Sequence, residues 1–449
     1  MLRRLFLLRL AAHGRNAVHR CFFAPWLRVT LLAMLPCLTV TASAADSLFT
    51  AARDSRALEQ PIGPLSDEQL DRFALGRSFF AATWVEAPAS TTARDGLGPL
   101  FNANSCTACH RRNGGGSRVE AARPVDHSIV LRLDGDARYG DQVATRAIPG
   151  VPREAAVSVR TTAVDFTFAD GSRQKLVAPE FVLEDLRYGQ LAGPGKLYPR
   201  RAPALTGLGL VERIPETSIL AHADPDDLDG DGISGRPNIV WSREHRDWRL
   251  GRFGCKSGAA GLLDQVSRAL SEDIGLTSAW YPRENCSPVQ SQCAKAWSSG
   301  ELDIDTERVG AIVYYLKNLK TPRPPVASAG AELFARIGCA GCHRSGYRVD
   351  GELAVDPYSD FLLHDMGEAL ADGSRVHDAG PREWRTAPLW GIGLARRLNP
   401  EAGFLHDGRA ATPEQAILWH AGEALAARVE FASLNTSERT AILQFLESL

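Results

Sequence analysis

Apolar residues recur with the spacing of an amphipathic helix in five segments of the chain. Ser66 and the acidic residues after it suit the first turn of the first helix, and a proline-rich stretch at residues 322–325 ends the second. The predicted helices cover residues 66–84, 305–319, 328–337, 412–420 and 436–449.

Between the first two helices the pattern changes to that of strands and loops. Ile129–Leu133 is a short apolar segment that predicts a strand. Apolar and polar residues alternate over residues 164–168 and, after a turn at 170–171, again over 174–183, which predicts a hairpin. The acidic, glycine-rich residues 224–235 predict a loop.

The N-terminal part of the chain has the pattern of an export signal. The first 45 residues contain six arginines and no acidic residue, and an apolar run over residues 29–40 leads to Ala42-Ser43-Ala44. This pattern predicts a signal peptide over residues 1–44, cleaved on export to the periplasm. The alternative is an uncleaved anchor, although the run is shorter than the about 20 apolar residues that span a membrane.

Composition and charge exclude several classes of protein. The chain has 449 residues, of which 44% are hydrophobic and 23% are charged, so it is neither disordered nor a multi-pass membrane protein. A formal net charge of −2 argues against nucleic-acid binding. No membrane span is expected once the signal has been removed.

Two CxxCH sequences carry the clearest chemistry. They are Cys106-Thr-Ala-Cys109-His110 and Cys339-Ala-Gly-Cys342-His343. In such a sequence the two thiols form thioethers to a haem and the histidine becomes the proximal iron ligand. A redox-active dithiol or half of a zinc site is the alternative, but a dithiol does not need the histidine and no second Cys or His pair lies nearby. We therefore expect two covalently bound haem c groups.

Further segments of the chain resemble those of the di-haem oxidoreductase family, which carries both a peroxidase and a thiol oxidoreductase label. The last third also resembles bacterial di-haem cytochrome c peroxidases, which share a His-Asp-Gly turn followed by a helix. The matching segments, besides the first CxxCH, are residues 96–105, 362–367, 384–391, 404–409 and 417–423.

The motifs and this resemblance together imply a mainly α-helical protein with two cytochrome c-type haem domains. The first domain is expected over residues 45–325, with a β-rich insertion at about 128–250, and the second over residues 326–449. Each predicted helix near a CxxCH sequence would pack beside its haem.

The resemblance also suggests distal iron ligands and one catalytic residue. In the peroxidases a Met ligand ends the helix after the His-Asp-Gly turn, and here His420 takes that place, with Met366 as the alternative. A histidine shortly after the first haem motif is displaceable in those enzymes, which makes His127 a candidate, although it also fits a surface position. Gln142 is a candidate for assisting O–O cleavage, although it also fits an ordinary loop amide.

Two other features depend on oxygen and sulfur chemistry. Asp227, Asp229 and Asp231 have the spacing of a calcium loop but lack its closing Glu, so a Ca2+ site and a solvated acidic turn are both open. Cys286 and Cys293 are expected to form a disulfide. This leaves Cys255, for which a buried, inert thiol is favoured and a reactive thiol is the alternative.

The predicted function is that of a periplasmic di-haem oxidoreductase of peroxidase type, in which one haem relays electrons to a catalytic first haem. Its partners would be hydrogen peroxide or another small oxidant and a redox donor such as a small cytochrome, a cupredoxin or a quinol-linked protein. The alternatives are a non-catalytic electron carrier and an oxidase of thiols or protein side chains.

Overall fold

The computed structural model describes most of the chain that follows the predicted leader. The described ranges are residues 47–121, 123–133, 136–191, 196–296, 300–325 and 327–449. The predicted signal peptide, residues 1–44, lies outside the described residues.

Capping side chains begin the predicted helices. The Ser66 hydroxyl accepts a hydrogen bond from the Gln69 amide, and the Gln69 side chain accepts one from the Ser66 amide, which forms a capping box. Asn435 and Glu438 form a second capping box at the start of the last helix. A single side-chain oxygen accepts from the third helical amide at the start of each of the others, at Asp305, Ser328 and Thr412. All five predicted helices are confirmed, and each cap satisfies amides that the first turn leaves without a partner.

The α-helices of the described residues are numbered here in chain order. They are α1 (Asp67–Ala81), α2 (Cys106–Cys109), α3 (Leu208–Arg213), α4 (Glu216–Leu220), α5 (Leu262–Ala269), α6 (Ser291–Ala294), α7 (Thr306–Lys317), α8 (Ala329–Arg336), α9 (Ala395–Leu398), α10 (Pro413–Trp419), α11 (Leu425–Ser433) and α12 (Thr436–Ser448). A π-helical turn, Leu270–Ile274, continues α5. Short 3-10 turns are Ala57–Glu59, Arg111–Asn113, Cys339–Gly341, Glu368–Leu370, Ile392–Leu394 and Gly422–Ala424.

The strands of the described residues pair two by two. They are β1 (Phe49–Thr50), β2 (Leu100–Phe101), β3 (Ile129–Leu133), β4 (Arg146–Ala147), β5 (Ala156–Thr167), β6 (Arg173–Glu184), β7 (Leu197–Arg201), β8 (Ile239–Ser242), β9 (Asp247–Leu250), β10 (Thr321–Pro322), β11 (Tyr347–Val349), β12 (Leu353–Val355), β13 (Leu363–Asp365) and β14 (Glu383–Arg385). The pairs are β1–β10, which is parallel, and the antiparallel β2–β4, β3–β7, β5–β6, β8–β9, β11–β12 and β13–β14.

The expected fold class, mainly α with two cytochrome c-type domains, is wrong. Only 31% of the structure is helical, and short strands are spread through the chain, including the part after residue 326. Most of these strands have two to five residues, too few for a clear alternation of apolar and polar positions. Their pairing depends on tertiary contacts, which explains why helical periodicity dominated the prediction.

Two large apolar clusters form the core, and each one draws on distant parts of the chain. The first includes side chains of α1, α3, α5 and α7 together with Tyr347 and Trp390. The second includes side chains of α8 and of α10 to α12 together with Phe168 and Leu176 of the β5–β6 hairpin. The proposed domain limit at residues 325 and 326 stays a prediction, with residues from both sides of it in each cluster.

The same close helix contact occurs beside both CxxCH sequences. A Cβ atom at Gly76 of α1 would lie 1.9 Å from the Ala311 carbonyl oxygen of α7. A Cβ atom at Gly330 of α8 would lie 2.0 Å from the Ala441 carbonyl oxygen of α12. In each pair an aromatic residue four positions further on, Tyr315 or Phe445, also meets the glycine. Only glycine permits these helices to approach so closely.

Replacing Gly330 by alanine is expected to destabilise the protein by about 2–3 kcal/mol, because the new methyl group overpacks against helix backbone that has little room to move. The free energy of unfolding from denaturant titration measures this loss. Gly310→Ala is the matched control within a helix, since its Cβ would meet only the end of the Arg72 side chain, at 3.9 Å. The control should be neutral or slightly stabilised. Equal losses in the two variants would contradict the packing argument.

Candidate haem sites

The first CxxCH sequence forms a single helical turn with its histidine directly after it. Cys106 and Cys109 are the ends of α2, whose first turn is capped by the Ser105 hydroxyl. The Nδ1 atom of His110 donates a hydrogen bond to the carbonyl oxygen of Pro203, at 2.8 Å. This bond fixes the tautomer and leaves Nε2 with its lone pair for a metal.

The second CxxCH sequence repeats this arrangement. Cys339 begins a 3-10 turn, and Cys342 follows it. His343 Nδ1 donates to the carbonyl oxygen of Tyr358, at 2.9 Å, so its Nε2 is also left as the free lone pair. Two sites with the same histidine-to-carbonyl bond therefore exist in the described part of the chain.

Burial keeps both histidines neutral. It lowers the pKa of His110 and that of His343 to about 4. Both side chains nevertheless retain some accessible surface and are not packed on all sides. Haem attachment requires two nearby cysteines and a neutral histidine whose Nδ1–H is already hydrogen-bonded. Both CxxCH sequences provide this donor set, so the residues present fit haem.

The cysteines of the two sequences do not have the character of a redox dithiol. Burial raises the pKa of the Cys106 thiol to about 12, and the carboxyl group of Asp273 adds to this rise. Burial also raises the pKa of Cys339 to about 12. A reactive dithiol needs a lowered pKa, so the dithiol alternative is disfavoured.

His420 and Met366 both lie near the second site. The Nδ1 atom of His420 donates to the Ala416 carbonyl oxygen at 2.7 Å, so Nε2 carries the free lone pair, as in His343. The charge of protonated His420 would lower the pKa of His343, which places the two rings near each other. Met366 packs at the edge of the second apolar cluster, which also contains Cys339. His420 thus lies near His343 with a free Nε2, and its assignment as the distal ligand remains a prediction.

His127 contacts the first site through the peptide backbone. Its Nε2 donates to the carbonyl oxygen of Ala108 at 2.9 Å, and its own carbonyl oxygen accepts from the Cys109 sulfur at 3.3 Å. His127 thus lies beside the CxxCH turn with one ring nitrogen already engaged. Its role as a displaceable ligand stays a prediction.

Gln142 is bonded to an acid that sequence reasoning missed. Its Nε2 donates to Asp273 Oδ1 at 2.8 Å and also contacts Asn102 Oδ1 at 3.2 Å. Burial raises the pKa of Asp273 to about 6, and the charge of Asp273 raises the pKa of both Cys106 and Cys109. A buried carboxyl group that titrates near neutrality therefore lies beside the first site.

Backbone structure holds Asp273 in this place. It belongs to the π-helical turn Leu270–Ile274, a type of turn that is frequent at functional sites. Its carbonyl oxygen accepts hydrogen bonds from the amides of Asn102 and Ala103, just before the first CxxCH sequence. The sequence offered no sign of this, since Asp273 resembles any acid near a helix end.

A buried charged triad adjoins the second site and was also missed. The His364 ring donates from Nε2 to Asp360 at 2.8 Å and from Nδ1 to Glu423 at 2.6 Å. These carboxylates raise the pKa of His364 to about 12 despite its burial, so the ring is an imidazolium with both nitrogens engaged. Glu423 follows His420 by three residues, so the triad fixes the backbone that carries this candidate ligand.

Two further sequence candidates are the acidic loop and the cysteine pair. Asp227 and Asp229 approach each other in an exposed loop, and the third acid near them is Asp224 instead of the expected Asp231. A Ca2+ site there stays a prediction. Cys286 and Cys293 form the expected disulfide, with an S–S distance of 1.99 Å.

The donor sets of both CxxCH sequences fit haem, and comparison with known proteins identifies the family. The chain belongs to the family described as "Di-haem oxidoreductase, putative peroxidase", whose profile matches residues 38–137 and 154–449. The resemblance inferred from the sequence is thus confirmed. No curated protein matches the chain.

Comparison with solved structures adds one distant similarity. It is to hydrazine synthase of Kuenenia stuttgartiensis pressurized with xenon, with 14% identity, 98% of this chain and 100% of that chain covered, and a TM-score of 0.36. Within the described residues no helix is long and apolar enough to cross a membrane.

Replacing His364 by glutamine is expected to lower the free energy of unfolding at pH 6 by about 3–5 kcal/mol, because two buried carboxylates lose their shared cation. The His364 contribution is complete below its unfolded pKa of about 6.5 and is lost as the pH rises toward about 12. Because the pKa of Asp360 is lowered in the folded protein, its carboxylate stabilises the fold above about pH 3.9, and this stabilisation is lost as the pH falls further.

Denaturant titration at several pH values measures this effect. The difference between wild type and variant should be largest between about pH 4 and 6.5. His245→Gln, on an exposed turn, is the control and should change stability by no more than about 0.5 kcal/mol. A pH-independent difference would contradict the ionic role of the triad.

Proposed function

We propose that the protein is a periplasmic oxidoreductase that carries two covalently bound haem c groups and reduces hydrogen peroxide or another small oxidant. The observation that carries this proposal is the difference between the acids beside the two proximal-type histidines. At the first site Asp273 hydrogen-bonds to a neutral amide and has a pKa raised to about 6 by burial, whereas Asp360 and Glu423 at the second site are paired with His364. Cys106, Cys109 and His110 would hold one haem, and Cys339, Cys342 and His343 would hold the other. When bound, these groups supply electron transfer and the reduction of the oxidant.

The two sites differ in what surrounds them, which supports different roles. At the second site His420 has a free Nε2 and lies near His343, so both histidines would hold this haem, which suits it to receiving and passing on electrons. At the first site the nearby His127 is engaged with backbone. The first site is therefore the better candidate for binding an oxidant.

Asp273 and Gln142 give the first site a means of moving protons. Reducing hydrogen peroxide to water consumes protons, and one proton must pass between its two oxygens. A carboxylate at Asp273 would accept that proton and return it to the departing oxygen, while Gln142 orients the carboxyl group through its hydrogen bond to Oδ1. A pKa of about 6 suits both steps near neutral pH.

Electronic and EPR spectra of the purified protein test this function. We expect two haems by pyridine haemochrome assay, and after half-reduction one haem should bind cyanide and react with peroxide. Two low-spin haems that remain unaffected by peroxide in every redox state would instead identify an electron carrier. Turnover with thiols or protein side chains but not with peroxide would identify the oxidase alternative.

Substitution of the candidate ligands belongs to the same measurement. His420→Ala should convert one low-spin signal to high spin, because it removes the ring that faces His343. Met366→Leu, which keeps the volume, should leave both signals unchanged. The opposite pattern would show that Met366 is the ligand.

Asp273→Asn is expected to lower the rate of peroxide reduction by about 100-fold, in the range of general acid–base contributions. In the wild type the rate should rise as the pH increases through about 6, because the carboxyl group must be ionised to accept a proton. This inflection should be absent from the variant. Steady-state rates from pH 5 to 8 measure both effects.

Glu154→Gln is the matched control for this prediction. Burial also raises the pKa of Glu154, to about 7, and Gln290 Nε2 donates to it at 2.6 Å, as Gln142 does to Asp273. The control should keep the wild-type rate and pH profile. If both variants lose activity equally, Asp273 acts only through stability.

A further inference from the structure

Two arginines at the junction of the two sites lack carboxylate partners among the described residues. Arg201 ends β7, where its Nε donates to the Leu405 carbonyl oxygen at 3.0 Å and its Nη1 to that of Ala202 at 3.1 Å. Arg385 ends β14, where its Nε donates to the Gly254 carbonyl oxygen at 2.8 Å and its Nη1 to that of Thr386 at 3.1 Å.

Each arginine belongs to one site, and both approach the same cysteine. Arg201 lies two residues before Pro203, whose carbonyl oxygen accepts from His110, and its charge lowers the pKa of His110, so this guanidinium lies near the first site. Arg385 Nη1 shares the Thr386 carbonyl oxygen with the hydroxyl of Ser359, the residue after the Tyr358 that bonds His343, so Arg385 lies near the second site. The Arg385 amide donates to the Cys255 carbonyl oxygen at 3.0 Å, and Cys255 also acts on the pKa of Arg201, so it lies near both arginines. Its environment is therefore cationic, which the sequence did not indicate.

The nearby acids are already committed elsewhere. Asp407, which acts on Arg201, is bonded to Arg409 at 2.7 Å, and Asp360 is bonded to His364 at 2.8 Å. By contrast Arg200, the neighbour of Arg201 in β7, has its own carboxylate, Asp372, at 2.6 Å. Arg201 and Arg385 thus differ from Arg200, since no described carboxylate forms an ion pair with either of them.

Burial of an unpaired cation is costly. It lowers the pKa of both guanidinium groups, yet both side chains keep some accessible surface and are not sealed off from a bound group. In each arginine Nη2 makes no hydrogen bond to another described residue. A cation held in this way needs an anion from outside the polypeptide.

We propose that Arg201 and Arg385 each bind a propionate carboxylate of the haem held at the adjoining CxxCH sequence. Every haem carries two such carboxylates, and the planar guanidinium suits their geometry. A fixed cation near a haem favours the reduced iron, so each arginine would also raise the reduction potential of its own haem. This inference rests on haem binding at both sequences and not on peroxidase activity.

Spectropotentiometric titration of the full-length holoprotein tests the proposal with the variants Arg201→Gln and Arg385→Gln. The first should lower the midpoint potential of one haem and the second that of the other. In resonance Raman spectra the propionate bending band of the affected haem should also shift. Arg348→Gln is the control, since Arg348 is exposed and likewise donates to a backbone carbonyl, that of Glu352. It should leave both potentials unchanged.

Lysine variants of the two arginines separate the effect of charge from that of guanidinium geometry. Arg201→Lys and Arg385→Lys retain the charge, so the potentials should stay close to wild type, whereas loss of the guanidinium geometry should still shift the propionate band. Unchanged potentials and bands in glutamine variants that hold two haems would overturn the proposal. If the glutamine variants fail to assemble, unchanged bands in the lysine variants would overturn it. A wild-type protein with fewer than two haems would instead refute the proposed function.

Discussion

The hydrogen bond from a histidine Nδ1 to a backbone carbonyl is the interaction on which both sites depend. His110 reaches Pro203, 93 residues further along the chain, and His343 reaches Tyr358. In each case the bond selects the tautomer that leaves Nε2 free and directs it away from the backbone. The helix crossings at Gly76 and Gly330 lie beside these turns, so close packing of helix backbones supports the orientation of each ring.

Buried charge is arranged differently at the two sites. Beside the second site, His364 satisfies two carboxylates and carries a full positive charge, which stabilises the segment of His420. Beside the first site, Asp273 has only a neutral amide as its hydrogen-bonding side-chain partner, so burial raises its pKa toward neutrality. A satisfied ion cluster makes a site rigid, whereas a carboxyl group with a shifted pKa can exchange protons. The chemistry proposed for each site follows from this contrast.

Much of the local structure was predictable, because its causes lie within a few residues. The capped helix α1, the hairpin β5–β6 and the Cys286–Cys293 disulfide were all expected. The short hairpin β8–β9 and the pair β13–β14 were not, because so few residues carry no clear periodicity. The predicted fold class, mainly α, was wrong because such short strands leave no pattern in the sequence whereas the helices do.

The sequence by itself determined the two candidate attachment motifs for haem, since two cysteines, a histidine and their spacing all lie within a few residues. It also determined the family, through motifs spread over the chain. Only the tertiary structure decided which groups surround each histidine. Asp273 lies beside Cys106 because a π-helical turn packs on the chain before α2, and Arg201 and Arg385 meet at Cys255 because strands from distant segments end there. Such contacts join residues far apart in the chain, and no local pattern encodes them.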